Sequence, residues 1–204
     1  MAELYFNYGA MNSGKSTELI MLAKNYELSG LKVIAFKPKD DSKADNLIVN
    51  RTGLSREVDF LLGKEESLFD YLDLNNLPNA VFVDEAQFLT SEQIDELFKV
   101  AKDYDVKVYA YGIRSDLLAN PFEGSTRLLT IADYITEYKS ICKCGDFARF
   151  NIRLYKGVPI FEGDSVLIDD KKNNENNFSY DTACGNCYRR IRRKYDKNLP
   201  ESYK

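Results

Sequence analysis

The stretch Gly9-Ala10-Met11-Asn12-Ser13-Gly14-Lys15-Ser16 decides how this chain is read. It matches G-x-x-x-x-G-K-[ST] at every fixed position, the spacing of a loop whose inward-pointing N–H groups enclose a phosphate. Glycine permits the turns and the close approach that such a loop needs. Ahead of it, Leu4 to Tyr8 reads as a short strand rich in aromatic residues. Behind it, Ser16 to Leu28 carries Leu19, Ile20, Leu22, Ala23 and Tyr26 at the spacing of a helix packed on a sheet, stopped by Ser29-Gly30. A chance match would lack this strand–loop–helix setting. The helix turns its positive end toward the anion. Lys15 is expected to reach the β- and γ-phosphates of ATP, and the Ser16 hydroxyl to bind Mg²⁺.

Outward from the loop, strand and helix signals alternate. Leu31 to Phe36 reads as a strand ending before Pro38, Asp40 to Arg56 as a polar loop, and Glu65 to Leu72 as a short helix. Val81-Phe82-Val83 is the continuous apolar run of a strand buried on both faces. Thr90 to Tyr104 reads as a helix with Thr90 as N-cap and Gln93 in the capping-box position. Val106 to Ile113 reads as a strand, Ser125 to Ala132 as a helix and Ile135 to Ile141 as extended. Alternation of this kind predicts an α/β fold, a parallel sheet with helices on both faces. The pattern breaks near Cys142, where short strands and turns are expected. A boundary near Ser140 therefore separates a nucleotide-binding unit, 1–140, from a small C-terminal lobe, 141–204. The lobe includes a polar, Asn-rich insert from Asp169 to Asn177.

A phosphate loop needs a carboxylate at the end of a neighbouring strand to complete the Mg²⁺ shell. Asp84, directly after Val81-Phe82-Val83, supplies it, and Glu85 beside it is placed to act as general base. Alone, the two acids would read as a solvated strand end; the complete loop favours the functional reading. Cys142 and Cys144 form one pair, Cys184 and Cys187 a second, and each pair adjoins a glycine. Four thiolates suit a tetrahedral structural Zn²⁺ that closes a lobe with little core of its own. The first pair is C-x-C, tighter than the usual spacing. A redox role is the rival, but thioredoxin-like C-x-x-C pairs lie near a βαβ unit, and this one does not.

Composition narrows the partners. The 204 residues are 44% hydrophobic and 29% charged, which supports a packed core. A net charge of −4 argues against a dedicated nucleic-acid binder. The local run Arg189, Arg190, Arg192, Arg193, Lys194 reads as a solvated tail. No stretch approaches the roughly 20 apolar residues of a membrane span, and Met1 to Tyr5 has no export-signal character. A cytoplasmic location with reduced cysteines is expected. The chain has no histidine, so any general base is a carboxylate, Lys, Cys or Tyr.

Four stretches together resemble the type II thymidine kinases, the family that includes the human cytosolic enzyme. They are the loop Gly9 to Thr17, the segment Asp84-Glu85-Ala86-Gln87-Phe88, the exit Tyr111-Gly112-Ile113-Arg114 leading to Pro121-Phe122, and the paired cysteines enclosing Gly163 to Ala183. They occur in the family's order over nearly the whole chain. The resemblance implies a RecA-like P-loop core, a zinc lobe and a homotetramer. It implies transfer of the ATP γ-phosphate to the 5′-hydroxyl of thymidine or deoxyuridine, giving dTMP in nucleotide salvage, with dTTP as a possible feedback inhibitor. Glu85 falls on the general base; Ser16 and Asp84 fall on the Mg²⁺ positions, and Gln87 is grouped with the ATP and Mg²⁺ site. Met11, Phe88, Ile113 and Phe122 fall on the thymine pocket, and Tyr180 lies near the nucleoside. Leu167 and Ile168 lie where a closing loop would hold the base through its backbone. For Phe88, Ile113 and Phe122 ordinary core packing stands as the alternative.

The chain departs from the family where Asp-x-Arg is usual. It has Asp40-Asp41-Ser42, with Lys43 and Arg51 as candidate replacements for the arginine. Asp169-Asp170 stands where Gly-Gly is usual. Two rival functions are a RecA-type ATPase in which Glu85 orients water, and a non-catalytic zinc-ribbon nucleic-acid module with a vestigial nucleotide site.

Overall fold

The computed structural model describes residues 1–39, 46–162 and 177–198. Its centre is a six-stranded sheet formed by β1 (Leu4–Gly9), β2 (Val33–Pro38), β5 (Phe60–Leu62), β6 (Ala80–Val83), β7 (Lys107–Gly112) and β8 (Tyr134–Tyr138), ordered β5-β2-β6-β7-β1-β8. Every pairing in this sheet is parallel. Three helices flank it: α1 (Lys15–Leu28), α2 (Ser91–Lys102) and α3 (Glu123–Ile131).

Strand alternation assigns the two faces. Leu4, Phe6, Phe36, Val81, Val83, Val108 and Ala110 pack with Ile94, Leu97, Val100 and Ala101 of α2 and Leu128 of α3. Ala35, Ala80, Phe82 and Tyr111 pack instead with Leu19, Ile20 and Ala23 of α1. All four residues of β6 are fully buried, as its unbroken apolar run predicts. The capping box at Thr90 is formed in both directions: Thr90 Oγ1 accepts from the Gln93 N–H, and Gln93 Oε1 accepts from the Thr90 N–H, each at 3.2 Å. Gly30, at φ 76°, ends α1 in the left-handed conformation, and the next N–H, of Leu31, bonds back to Tyr26 O.

Three segments differ from the sequence expectation. The supposed loop from Asp40 to Arg56 contains an antiparallel hairpin, β3 (Leu47–Val49) with β4 (Ser55–Glu57); residues 40–45, including Asp41, Ser42 and Lys43, lie outside the described residues. Ile48 buries its side chain against α1, and the Asn50 carbonyl oxygen Oδ1 accepts from the Thr52 and Leu54 N–H groups to build the turn. A buried apolar residue and an Asx turn inside a polar run are weak signals, so the tertiary contact decides the outcome. Glu65 to Leu72 forms only a 3₁₀ turn, Leu68–Asp70. Glu96 of α2 accepts from the Leu68 N–H and the Ser67 hydroxyl, which pins the backbone before an α-helix can start.

The third correction is the basic tail, which is the helix α4 (Gly185–Asn198). Tyr188, Ile191 and Tyr195 form an apolar stripe facing β11 (Phe150–Tyr155), and the surrounding arginines hide that spacing in the sequence. This helix completes a third, smaller cluster: Cys142, Ala148, Ile152, Phe161, Ala183, Cys184 and Tyr188. Around it lie β9 (Ser140–Ile141) paired with β10 (Phe147–Ala148), and a sheet in the order β12 (Val158–Ile160), β11, β13 (Phe178–Ala183). No helix among the described residues is long and apolar enough to cross a membrane.

Candidate active site

The C-terminal ends of β6, β7 and β1 are adjacent in the sheet, and the site is built on them. Gly9 ends β1 and opens the loop. A Cβ there would stand 2.3 Å from Tyr138 O and 2.7 Å from Ser13 Oγ, so no other residue fits. Asn12 at φ 63° and Gly14 at φ 90° curl the chain into the first turn of α1. Lys15 is buried, and its ammonium donates to Gly9 O and Ala10 O at 3.0 Å and to Ser13 Oγ at 3.4 Å. The loop therefore wraps around its own cation at the positive end of a helix.

Across β7, the Ser16 hydroxyl donates to Asp84 Oδ2 at 3.4 Å. The two expected Mg²⁺ residues thus meet from different elements, and their oxygen donors match the preference of Mg²⁺ for hard ligands. Glu85, next along, has φ 52° and ψ 38°, a left-handed conformation that costs a non-glycine residue about 1–3 kcal/mol and tends to persist at functional sites. Gln87 is almost wholly buried. Its Nε2 donates to Glu85 Oε2 at 2.6 Å, and its Oε1 accepts from the Ile113 N–H at 3.1 Å.

The aromatic residues assigned to the base pocket gather beside these acids. The Phe88 and Phe122 rings meet edge to face at 5.5 Å. Ile113 follows the end of β7, and Ser125 Oγ of α3 donates to its carbonyl at 2.6 Å. Close packing of α3 depends on Gly124, where a Cβ would fall 2.5 Å from Ala86 O and 2.7 Å from Leu89 O. Gly124→Ala is expected to lower stability by about 1–3 kcal/mol, read as a fall in Tm. Gly185→Ala, whose Cβ would meet only Phe150 at 3.7 Å, is the matched control with no comparable loss.

Tyr180 stands on β13 opposite Arg153, on the C-terminal sheet and not on the central one. Leu167 and Ile168 lie outside the described residues. One residue that joins the two parts escaped the sequence reading. Asn151, buried on β11, accepts from the Met11 N–H at 2.8 Å, tying the Gly9–Ser16 loop to the C-terminal strands. The available signal was a lone amide in the strand Phe150–Tyr155; a buried amide must find a partner. Gly9, Ala10, Ile113, Arg114 and Asn151 line one shared crevice between these parts.

The four cysteine ligand atoms all lie within 4.8 Å of one another, and Cys144 Sγ and Cys184 Sγ are 3.6 Å apart. All four cysteines are free of disulfides. N–H groups of Cys144 and Cys184 aimed at the Cys142 sulfur draw its pKa down to about 7. Cys187, donating to the sulfurs of Cys144 and Cys142, is pushed up to about 12. Four thiolates this close together repel one another unless a cation lies among them. A divalent ion removes that conflict, and this all-sulfur donor set suits zinc.

Sequence comparisons agree with this geometry. A family model described as Thymidine kinase matches residues 2–188. A thymidine kinase of Enterobacteria phage T4 is 39% identical over 176 residues, covering 84% of this chain and 91% of its own length. One from Coxiella burnetii is 42% identical over 174 residues, with 82% and 88% covered. One from Francisella tularensis is 34% identical over 188 residues, with 90% and 95% covered. With a match that spans the loop, the acids and all four cysteines, this chain belongs to the thymidine kinase family.

Proposed function

We propose that this chain phosphorylates thymidine at its 5′-hydroxyl with ATP, yielding dTMP in nucleotide salvage. The observation that carries the reading is the 3.4 Å contact between Ser16 Oγ and Asp84 Oδ2, because it sets the loop and the paired acids at one rim of the sheet. Phosphoryl transfer requires alignment and charge neutralisation more than covalent chemistry. Gly9 to Ser16 act as the P-loop of a RecA-like core, with backbone N–H groups and the Lys15 ammonium on the triphosphate. Ser16 and Asp84 are the residues to hold Mg²⁺, which when bound neutralises charge on the transferred phosphate. Glu85 accepts the proton of the attacking hydroxyl, held at its position by the Gln87 amide. Met11, Phe88, Ile113, Phe122 and Tyr180 line the base site.

A division into residues 1–140 and 141–204 is supported by the third cluster, whose buried members run from Cys142 to Tyr188. The four cysteines hold a structural zinc that closes this C-terminal lobe, and the lobe carries the nucleoside-closing segment. Exclusion of water by that segment keeps ATP from being hydrolysed unproductively. A homotetramer and inhibition by dTTP complete the proposal.

The decisive test is a nucleoside panel with ATP and Mg²⁺, following ADP release. Thymidine, and to a lesser degree deoxyuridine, should drive release, and the product should be the 5′-monophosphate. ADP release stimulated by DNA and indifferent to thymidine would replace this reading with a RecA-type ATPase.

A further inference from the structure

Gln87 is assigned by resemblance to the ATP and Mg²⁺ site, yet its contacts point elsewhere. Its amide spans the end of β6 and the exit of β7: Oε1 accepts from the Ile113 N–H at 3.1 Å, and Nε2 donates to Glu85 Oε2 at 2.6 Å. The first contact fixes the second. A backbone N–H bonds only an acceptor, so the amide oxygen must face Ile113 and the amide N–H₂ must face the carboxylate. Ile113 is itself immobilised, since its carbonyl accepts from the buried Ser125 Oγ at 2.6 Å. Behind the amide, Gly112 leaves no slack: a Cβ there would stand 2.7 Å from Gln87 Oε1. Gln87 is 2% exposed, so these bonds are made away from competing water.

The carboxylate that receives this bond sits on a strained backbone, Glu85 at φ 52°. A side chain leaving an unfavourable backbone conformation stays in place only if its surroundings over-determine it. We infer that Gln87 is a positioning residue of the phosphoryl transfer, a rigid amide that holds the Glu85 carboxylate in the orientation that accepts the proton of the nucleoside hydroxyl. This rests on the proposed kinase reading and refines it, by giving Gln87 a role in the chemical step and none in nucleotide affinity. It also links that step to Ile113 at the base site, because one amide bonds both.

Two variants test this. Gln87→Leu removes both bonds, and Gln87→Glu keeps the shape but turns a carboxylate toward Glu85. Each is expected to lower kcat about 30-fold while leaving KM for ATP and thymidine within about twofold, the split of an interaction made in the transition state. A residue acting through Glu85 has nothing left to position once Glu85 is disabled. In a Glu85→Gln background, adding Gln87→Leu should therefore change the residual kcat by less than about threefold. Full additivity of the two losses, or a raised KM for ATP with kcat intact, overturns the assignment. Wild-type protein that forms no ADP with thymidine removes the parent reading, and this one with it.

Discussion

Glu85→Gln should lower kcat about 10³-fold and leave ATP binding intact, within the range expected for loss of a general base. The change replaces one oxygen by NH₂ and keeps size and shape. Gln87 Nε2, now 2.6 Å from Glu85 Oε2, can still donate to the remaining amide oxygen, so the local geometry has no reason to collapse. What disappears is the capacity to take a proton at neutral pH. The triphosphate contacts proposed for Gly9 to Ser16 come from a different element, and Lys15 donates to Gly9 O and Ala10 O within the loop itself. Titration with ATP and Mg²⁺ should thus give the wild-type dissociation constant. A thousandfold loss corresponds to about 4 kcal/mol of transition-state stabilisation. Turnover within about fivefold of wild type would remove Glu85 from the proton-transfer role, since even modest general-base catalysis exceeds that. Glu85→Asp separates reach from charge: it keeps the carboxylate but withdraws it from Gln87, and an intermediate kcat is expected.

Much of this arrangement was legible before any coordinates. The loop spacing, the strand before it and the acids after Val83 were sufficient because each follows from local chemistry: glycine where the backbone must turn left, a continuous apolar run where a strand is buried on both sides. Pairing of the cysteines was equally visible, since nothing else in the chain uses sulfur in pairs. The misses share a different cause. The β3–β4 hairpin exists because Ile48 finds α1, and because Asn50 Nδ2 donates to Thr17 Oγ1 at 2.9 Å; neither partner is near in sequence. Helix α4 was masked by its own charge, with Tyr188 and Ile191 spaced correctly but outnumbered by arginines. Gln87 and Asn151 are the instructive cases at the site. Each is an amide whose meaning lies in which backbone N–H it meets, Ile113 for one and Met11 for the other, and only the tertiary fold supplies that partner.

Cys184→Ser is expected to abolish both stoichiometric zinc and thymidine phosphorylation. Among the described residues the lobe's buried core is small, and two of its seven members are the cysteines Cys142 and Cys184 themselves. Such a core cannot offset the conformational entropy of ordering five short strands and a helix. A structural zinc site contributes on the order of 10 kcal/mol to folding in small domains, enough to decide the balance in the proposed zinc lobe. Serine at position 184 is a poor zinc ligand and places a hydroxyl where the wild-type thiol is buried. The lobe should then open to proteolysis between residues 141 and 198, and metal analysis should fall from one zinc per chain to none. The consequence reaches the loop from Gly9 to Ser16 by a defined route. β11 carries Asn151, whose side chain accepts from the Met11 N–H at 2.8 Å, so a melted lobe frees that end of the loop. ATP affinity is accordingly expected to fall about tenfold, close to the value of one lost hydrogen bond at a buried site. The nucleoside site proposed to include Tyr180, on β13 of the same lobe, should be lost outright. Prolonged chelation of the wild-type protein should reproduce both effects, and readdition of zinc should reverse them. A Cys184→Ser protein that keeps its proteolytic resistance and its kcat would show that the sulfur cluster neither binds the metal nor holds the lobe.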